Sequence, residues 1–298
     1  RQVGGMAGNE HDSVLIRVVS VAFNPGDELT QLLDSLPAAV GDTAFEAVVV
    51  NNGSATPALD AARSRATVID APANLGYGKA NNLGARGFTG PWLLIVNPDV
   101  RLEPGSVARM IGAAANYPRG GAFAPKIMTP EGEVYPSVRQ FPRLVAGTGH
   151  ALFGRVWPGN PWTARYHANG ATGSTHPVDW LSGACLLIRR EAFEDVGGFD
   201  VDFFMFFEDT MLGEDLARAG WQRVFVHDAM AVHDQGKSWR ERPEPMMREH
   251  HRSAYRYLAK VYDRPWQAPL RAAIKAGLKV RLARELRAQR QTSAHVSH

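Results

Sequence analysis

The segment WLLIVNPDV, residues 92–100, joins five consecutive apolar residues to the turn-forming sequence Asn97-Pro98-Asp99. An unbroken apolar run of this length, without alternating polar residues, is typical of a strand that is covered on both faces. Asn, Pro and Asp favour turns for local steric and hydrogen-bonding reasons, so the strand should end at Val96. The segment therefore predicts a sheet that carries helices on both sides.

The same alternation of apolar runs and amphipathic stretches extends in both directions from this segment. Further strands are predicted at residues 14–23, 44–50 and 67–71. Helices are predicted at about 26–36, 57–65, 76–88 and 104–116. Such an order predicts an α/β fold with a doubly wound, mostly parallel sheet, to which a C-terminal helical extension is added.

Turn-forming residues gather in the loops that follow the four predicted strands. These loops are Phe23-Asn24-Pro25-Gly26, Asn51-Asn52-Gly53-Ser54, Asn74-Leu75-Gly76-Tyr77-Gly78 and Asn97-Pro98-Asp99. Turn chemistry explains each loop alone, but ligands bind beyond the carboxyl ends of strands in such sheets. Four such loops at equivalent strand ends therefore predict a ligand site. The full phosphate-loop pattern GxxxxGK[ST] is missing, as is the third glycine of the dinucleotide fingerprint.

Composition limits the class of protein. The 298 residues are 45% hydrophobic and 21% charged, which suits one large globular core. The chain has no run of about 18 apolar residues and no basic-then-apolar N-terminal segment, so we expect a cytoplasmic protein. Residues 1–12 are Gly-rich and polar, and we expect a disordered tail there. The single cysteine, Cys185, excludes an internal disulfide and lies in an apolar run, which favours a buried, inert thiol.

Positive charge is concentrated at the C-terminal end. From Arg264 to His298 there are eight Lys or Arg residues against one acid, Glu285, although the whole chain carries only +3. Apolar residues recur every four positions in this segment, at Trp266, Leu270, Ile274, Leu278, Leu282 and Leu286. A basic amphipathic helix suits an anionic membrane surface, and packing on its own domain or on a partner is the alternative. Nucleic acid is not an expected partner, because no basic patch with interleaved aromatic residues occurs elsewhere.

Seven motifs occur in order along residues 14–266. They are AFNPG, VVVNNGS, NLGYGKANN, LLIVNPDV, WLSGACLLIRREAFEDVGGFD, FFMFFEDTML and VHDQGKS. This order resembles the inverting family-2 glycosyltransferases of the GT-A fold. Two further stretches, VYPSVRQFP (134–142) and WPGNPWTARY (157–166), are similar to the actinobacterial rhamnosyltransferases that act on decaprenyl-diphosphate-linked N-acetylglucosamine.

The resemblance implies a division of the chain into functional regions. A GT-A glycosyltransferase domain is expected at residues 13–243. Its nucleotide-binding half should cover about 13–128 and its acceptor-binding half about 129–243. Residues 244–298 should form C-terminal helices that include the basic segment.

Sugar transfer from a nucleoside diphosphate requires a counter-charge for the leaving group, most simply a divalent cation with oxygen ligands. The resemblance implies that Asp99 and His233 hold this cation, Mn²⁺ or Mg²⁺. Because imidazole suits Mn²⁺ better than Mg²⁺, we expect Mn²⁺ to activate at least as well. The alternative for His233 is a hydrogen bond to the diphosphate.

The reaction also needs a base that removes the proton of the acceptor hydroxyl. The resemblance places this base in the pair Glu208-Asp209, with Asp209 as the base and Glu208 in support. The neighbouring aromatic residues should raise the pKa of the carboxyl groups and exclude water. Relatives commonly have the sequence E-D-x-D-L here, whereas Met211 replaces the last aspartate of this pattern.

Substrate contacts are implied by position in the same motifs. Donor contacts around the base and ribose are expected from Phe23, Asn24, Asn51 and Gly53, although relatives carry aspartate at position 51. Contacts to the rest of the nucleotide or to the sugar are expected from Asn74, Gly76, Tyr77, Gly78, Asn82 and Asn97. Acceptor contacts are expected from Trp180, Ser182 and Gly183, and from Arg139 as a candidate for the lipid diphosphate. The loop-rich region around Arg139 also contains Arg143, Trp157, Trp162, Arg165 and Tyr166.

The resemblance, together with the basic C-terminal segment, implies an inverting enzyme of cell-wall linker synthesis at the inner face of the cell membrane. It would transfer L-rhamnose from dTDP-L-rhamnose to N-acetylglucosaminyl-diphospho-polyprenol. One alternative is another nucleotide-sugar hexosyltransferase of the same family. The other is a catalytically silent relative that binds nucleotide sugars or membranes. The sequence leaves open whether the chain forms a homo-oligomer.

Overall fold

The fold is taken from a computed structural model, which describes residues 15–135, 137–142, 173–234 and 244–296. The described strands are β1 (Ile16–Ala22), β2 (Phe45–Asn51), β3 (Thr67–Asp70), β4 (Trp92–Val96), β5 (Val100–Leu102), β6 (Gly120–Met128), β7 (Val138–Arg139), β8 (His176–Val178), β9 (Trp180–Leu181), β10 (Cys185–Arg189) and β11 (Gln222–His233). The described helices are α1 (Asp27–Val40), α2 (Pro57–Ala62), α3 (Tyr77–Ala85), α4 (Ser106–Ala113), α5 (Arg190–Asp195), α6 (Glu208–Arg218), α7 (Glu244–Val261) and α8 (Ala268–Val296). The expected disordered tail lies outside the described residues.

One large sheet organises these elements. Its strand order is β3-β2-β1-β4-β10-β6-β11-β5, and β8 adds to β11 as a ninth strand. The strands β3, β2, β1 and β4 are parallel, as predicted. In the other half β10 runs antiparallel to β4 and β6, and β11 runs antiparallel to β5 and β8. The sheet is therefore mixed, with its parallel half formed by the strands whose loops carry turn-forming residues.

The strand β4 is covered on both faces, as its sequence predicts. All five of its residues are buried. Leu94 and Val96 belong to the core that also contains residues of α1 and α4. Leu93 and Ile95 belong to the opposite core, with residues of α3, α5 and α6. Burying such side chains stabilises the fold by roughly 1.5–3 kcal/mol each, so this strand contributes strongly to both cores.

Several helix ends differ from the prediction. Helix α1 continues through Pro37 to Val40, beyond the predicted end at residue 36, because Ala39 and Val40 are buried against the sheet. The helices α2 and α3 end earlier than predicted, at Ala62 and Ala85. Helix α4 ends at Ala113 and is followed by a short 3₁₀ turn. Tertiary burial accounts for the longer α1, and the sequence pattern alone does not reveal it.

The two C-terminal helices pack against each other beside the sheet domain. Helix α7 contacts α6 through the buried cluster of Phe203, Met211 and Tyr257. Helix α8 lies on α7, with Leu286 buried and Trp266 just before the helix 77% exposed. Within the residues described, no helix combines the length and the apolar character needed to cross a bilayer.

Candidate active site

A cavity of about 330 Å³ lies beyond the carboxyl end of β4. Eight residues predicted from the sequence line it, namely Tyr77, Asn97, Asp99, Ser182, Gly183, Glu208, Asp209 and His233. Other lining residues, among them Tyr135, Met205, Phe206 and Met246, were not predicted as site residues. The cavity therefore brings the predicted metal ligands and the predicted base into one space.

Asp99 and His233 meet because two strands pair next to them. The strand β5 begins directly after Asp99 and runs antiparallel to the end of β11, so that Val100 lies opposite His233. The His233 Nε2 atom lies 3.1 Å from Asp99 Oδ1. The His233 Nδ1 atom is buried and has no hydrogen-bond partner among the described residues, and the Tyr135 ring packs edge-on against the imidazole at 5.4 Å.

The chemistry of this pair fits a divalent cation. A carboxylate oxygen and an imidazole nitrogen that converge on one wall of a cavity are ligand types that Mn²⁺ accepts, and Mg²⁺ accepts the carboxylate more readily than the imidazole. Within the described ranges no group of three or more His, Cys, Asp or Glu side chains could hold a metal. With Asp99 and His233 as its two protein ligands, a divalent cation would keep coordination positions open for substrate oxygens and water.

Asp209 lies at the start of α6 and is held by three donors. The backbone N–H of Gly183 donates to Oδ2 at 2.9 Å. The backbone N–H and the hydroxyl of Thr210 donate to Oδ1 at 2.7 and 3.2 Å. Burial raises the pKa of Asp209, and these hydrogen bonds oppose the increase. The Asp209 side chain is partly exposed to the cavity, and its Oδ2 atom accepts from only one of these donors. This oxygen can therefore accept a hydrogen bond from a further donor.

Glu208 directly precedes Asp209 and has a different environment. Its side chain is buried, and its Oε2 atom has no hydrogen-bond partner in the described structure. Burial and the charge of Asp209 raise the pKa of Glu208 to about 8. The two adjacent carboxyl groups are therefore inequivalent, with Glu208 protonated at neutral pH and Asp209 better able to carry the negative charge.

Tyr77 joins three distant segments around the pair. Its hydroxyl donates to the Gly183 carbonyl at 2.6 Å, and its backbone N–H donates to the Phe204 carbonyl at 2.9 Å. Gly76 has φ +79°, and a Cβ there would lie 2.3 Å from the Phe204 carbonyl oxygen. Gly78 approaches Phe199 so closely that a Cβ would lie 3.0 Å from the Phe199 Cβ. The two glycines thus allow α3 to contact the segment that leads into the acidic pair.

A network of asparagine amides connects the loops after β2 and β3. The buried Asn52 donates to the Asn74 side chain at 2.9 Å and to the Gly76 carbonyl at 3.2 Å, and its oxygen accepts from the Leu75 N–H at 2.9 Å. Asn52 was not predicted as a site residue, because adjacent asparagines in a turn give no signal of which side chain is buried. The predicted residue Asn74 also accepts from the Gly76 N–H.

The predicted contacts to the base and ribose come from loops near the end of β1 and β2. Phe23 is 60% exposed, and Asn24 adopts a left-handed conformation with φ 50° while its side chain accepts from the Ser54 N–H at 2.8 Å. A Cβ on Gly53 would lie 2.6 Å from the Asn24 Oδ1 atom. Asn51 is buried, and its amide is bonded within the protein. None of these residues lines the cavity, so their contact with a donor stays a prediction.

Asn82 has a role in positioning the segment before the acidic pair. Its amide donates to the Phe199 carbonyl at 2.8 Å, and its oxygen accepts from the Phe199 N–H at 2.9 Å. The predicted donor contact of Asn82 stays a prediction.

Of the predicted acceptor residues, Arg139 and Trp180 lie on a small second sheet, and Ser182 and Gly183 follow its strand β9. The strands β7 and β9 pair so that Arg139 lies opposite Trp180. The Trp180 indole donates to the Gln140 carbonyl at 3.2 Å, and the Ser182 N–H donates to the Ser137 carbonyl at 2.8 Å. The Arg139 side chain lies outside the described part, as do Arg143, Trp157, Trp162, Arg165 and Tyr166.

Met211 stands at the position where the resemblance implied a third carboxylate. Its side chain is buried and packs with Phe203 and Tyr257 against α7. A charged group placed in this apolar cluster would need a compensating partner. The substitution therefore suits a helix face that packs against α7 and does not line the cavity.

Comparisons with known proteins identify the family of the chain and agree with its fold. A family model described as glycosyl transferase family 2 matches residues 17–197, and a second, glycosyl transferase family group 2, matches residues 160–283. The chain therefore belongs to glycosyltransferase family 2. It is 40% identical over 281 residues to the N-acetylglucosaminyl-diphospho-decaprenol L-rhamnosyltransferase of Mycobacterium tuberculosis, which covers 90% of this chain and 91% of that protein.

Solved structures of glycosyltransferases share the fold. The mannosyltransferase PcManGT from Pyrobaculum calidifontis, in complex with GDP-Man and Mn²⁺, has a TM-score of 0.54 at 20% identity and covers 95% of this chain and 80% of its own. GalNAc-T7 with UDP, GalNAc and Mn²⁺ has a TM-score of 0.53 at 15% identity, and the match covers 74% of this chain and 43% of GalNAc-T7. The predicted family, the GT-A fold and the glycosyltransferase class are thus confirmed.

Proposed function

We propose that the protein transfers L-rhamnose from dTDP-L-rhamnose to N-acetylglucosaminyl-diphospho-polyprenol with inversion at the anomeric carbon. The observation that carries this proposal is the shared cavity of the Asp99–His233 pair and the Glu208-Asp209 pair. The choice of sugar and acceptor is supported by the 40% identity to the mycobacterial rhamnosyltransferase over nearly the full length of both chains.

The chemistry proceeds as a single displacement. Asp209 Oδ2, positioned by the Gly183 N–H, takes the proton of the acceptor hydroxyl while the hydroxyl oxygen bonds to the anomeric carbon and the bond to the diphosphate breaks. Glu208, protonated in its buried position, adds no second negative charge beside the base. Asp99 and His233 would hold a divalent cation, which supplies charge neutralisation for the departing diphosphate.

Two aspartate variants separate the proposed roles. Asp209→Asn removes the base, so turnover should fall by roughly 10²–10⁴-fold while dTDP binding is retained. Asp99→Asn should weaken Mn²⁺-dependent binding of dTDP. The exposed Asp228 provides a matched control, and Asp228→Asn should leave both properties unchanged. If Asp209→Asn retained normal turnover, Asp209 would not be the base.

A donor screen tests the sugar assignment. Thermal shifts with dTDP, UDP and GDP species, each with Mn²⁺ or Mg²⁺, should show the largest stabilisation for dTDP-L-rhamnose, because binding to the folded state raises the unfolding midpoint. Equal stabilisation by UDP or GDP sugars would contradict the rhamnosyl assignment. Product formation from another donor would favour a hexosyltransferase of different specificity. Absence of turnover with every donor would favour the catalytically silent relative.

The basic helix α8 supports attachment to the membrane that holds the acceptor. Lys279 and Arg287 are exposed on it, and each basic side chain near an anionic surface contributes about 1 kcal/mol. Replacing both by Gln should weaken binding to phosphatidylglycerol vesicles roughly thirtyfold at low salt. Exposed Arg86 and Arg101 on the sheet domain, replaced in the same way, provide the control. Equal loss in both double variants would contradict a specific role of α8.

A further inference from the structure

The side chain of Asp70 stands at the end of β3 and was not predicted as a site residue. It pairs in register with Asn51 at the end of β2, on the same edge of the sheet as the turn-forming loops. The Asn51 amide donates to Asp70 Oδ1 at 2.9 Å, and the Arg63 guanidinium donates to Oδ2 at 2.9 Å. The Asp70 side chain is 56% exposed, so it is held in place and remains accessible.

The contacts of Asn51 fix the direction of its amide. Its oxygen accepts from the Gly53 N–H at 3.0 Å, and therefore its nitrogen is the atom that faces Asp70. An aspartate at position 51 would place a second carboxylate at hydrogen-bond distance from Asp70, and like charges at that separation repel. The pair therefore carries a single negative charge, which lies on residue 70 and not on residue 51.

Asp70 keeps this charge and retains accepting capacity. The hydrogen bond from Asn51, followed by that from Arg63, lowers the pKa of Asp70. An ionised carboxylate offers about four lone-pair positions and donates nothing, and two positions are used by Asn51 and Arg63. The exposed carboxylate can accept an N–H group from a ligand, and it repels a ligand atom that is itself an acceptor.

The neighbouring residues suit a flat ring. Phe23, at the end of β1, is 60% exposed, and a Cβ added to Gly53 would lie 3.1 Å from its ring. The sheet order places the ends of β3, β2 and β1 in succession before β4, after which Asp99 follows. Since neighbouring strands are about 4.8 Å apart, Asp70 lies about three strand spacings from the Asp99 wall. A nucleotide with its diphosphate at Asp99 would extend its base in this direction.

We propose that Asp70 selects the nucleobase of the donor by accepting the ring N–H of thymine or uracil. This inference rests on the proposed function, because it assumes a nucleoside diphosphate in the cleft. Cytosine presents a ring acceptor at the corresponding position, and its lone pair faces that of the carboxylate.

The test compares nucleotides that differ at this ring position. Dissociation constants of UDP and CDP are measured by calorimetry with Mn²⁺ present, for the wild type, Asp70→Asn and Asp60→Asn. The wild type should bind UDP at least roughly tenfold more tightly than CDP, as expected for a hydrogen bond to a charged group. In Asp70→Asn the preference for UDP over CDP should fall below about threefold. An amide can accept the ring N–H of uracil or donate to the ring nitrogen of cytosine, so it favours neither base strongly.

Asp60 provides a matched control. Its carboxylate is 73% exposed and also faces Arg63, at 3.9 Å, but it lies on α2 and not at a strand end. Asp60→Asn removes the same charge beside the same guanidinium and should leave the UDP to CDP ratio unchanged. An equal change in both variants would show a general charge effect and overturn the inference.

Moving the carboxylate from position 70 to position 51 provides a second, independent measurement. Asn51→Asp should weaken UDP binding or the fold, because two carboxylates then face each other. The double variant Asn51→Asp, Asp70→Asn should recover both stability and preference for UDP. A wild type without preference for UDP, or an Asp70→Asn protein that keeps it, would overturn the inference. Failure of the rhamnosyl proposal would be seen separately, as absence of transfer from dTDP-L-rhamnose while the UDP to CDP ratio remains measurable.

Discussion

Replacing Glu208 by Gln tests the electrostatic difference between the two adjacent carboxyl groups. Burial and the charge of Asp209 raise the pKa of Glu208 from 4.5 to about 8. The folded protein therefore keeps a proton on this carboxyl at neutral pH, whereas the unfolded chain has released it. Between these two pH values the folded state binds more protons, so the free energy of unfolding contributed by Glu208 falls as the pH rises.

The magnitude follows from the size of the shift. At 1.36 kcal/mol for each pKa unit, the wild type loses at most about 5 kcal/mol between pH 4.5 and pH 8 through this group. Gln resembles the protonated carboxyl and has no such dependence. We expect Glu208→Gln to match the wild type at pH 4.5 within about 1 kcal/mol and to exceed it by roughly 3–5 kcal/mol at pH 8.5.

Urea unfolding followed by tryptophan fluorescence at pH 4.5, 6.5 and 8.5 measures this difference. Glu191 on α5 is exposed and provides the control, since Glu191→Gln makes the same chemical change at the surface. The difference between the wild type and Glu191→Gln should be independent of pH. A difference between the wild type and Glu208→Gln that is equally constant would refute the description of Glu208 as a protonated, buried acid.

Two further variants test the packing around the site. Gly76→Ala should destabilise the protein more than Gly41→Ala: the φ values are +79° and +74°, but only a Cβ at position 76 would meet the Phe204 carbonyl, at 2.3 Å, while nothing lies within 4 Å at Gly41. Equal unfolding midpoints for the two variants would contradict that close contact. Tyr257→Phe should cost about 1–3 kcal/mol, because it removes the hydroxyl that donates to the buried Glu214 carboxylate at 2.7 Å. Urea unfolding measures this cost, and a value below about 0.5 kcal/mol would show that the bond contributes little.

The parallel half of the sheet could be predicted because each of its strands has a strong local signal. The apolar run of β4 has no polar interruption, and its burial on both faces follows directly. The strand β5 gave no such signal, since it has only three residues, and yet its pairing with β11 brings His233 to Asp99. The strand β11 also changes register between Val226 and Met230, which no periodic pattern reveals. Long-range pairing of short or irregular strands depends on tertiary contacts that a single sequence does not contain.

Some residues of the candidate site could likewise be predicted from the sequence, and others could not. The acidic pair and Asp99 were predicted because their motifs resemble those of the family, whereas an aspartate in a turn or an acidic helix start has an ordinary local explanation. The buried amide of Asn52 and the Tyr135 ring on His233 were not predicted, because an asparagine in a turn and a tyrosine in a loop have ordinary local explanations. Their positions depend on which loops meet in space.

The loop before the acidic pair is held in an unfavourable conformation by helix α7. Phe206 and Phe207 have φ values of 67° and 64°, and a bulky residue in this region costs about 1–3 kcal/mol. The Ser253 hydroxyl donates to the Met205 carbonyl at 2.7 Å, and the Phe207 ring packs against Tyr257 at 5.5 Å.

Further contacts fix the start of the same loop. The Lys260 ammonium pairs with Asp200 at 2.6 Å and with Asp202 at 2.7 Å, and Arg256 donates to the Asp202 carbonyl. A version of the protein truncated at residue 243 would therefore lose more than its basic helix. The loop could relax towards ordinary backbone angles and move Glu208 and Asp209 out of register with Gly183. The shortest chain that keeps the geometry of the acidic pair must extend through Val261.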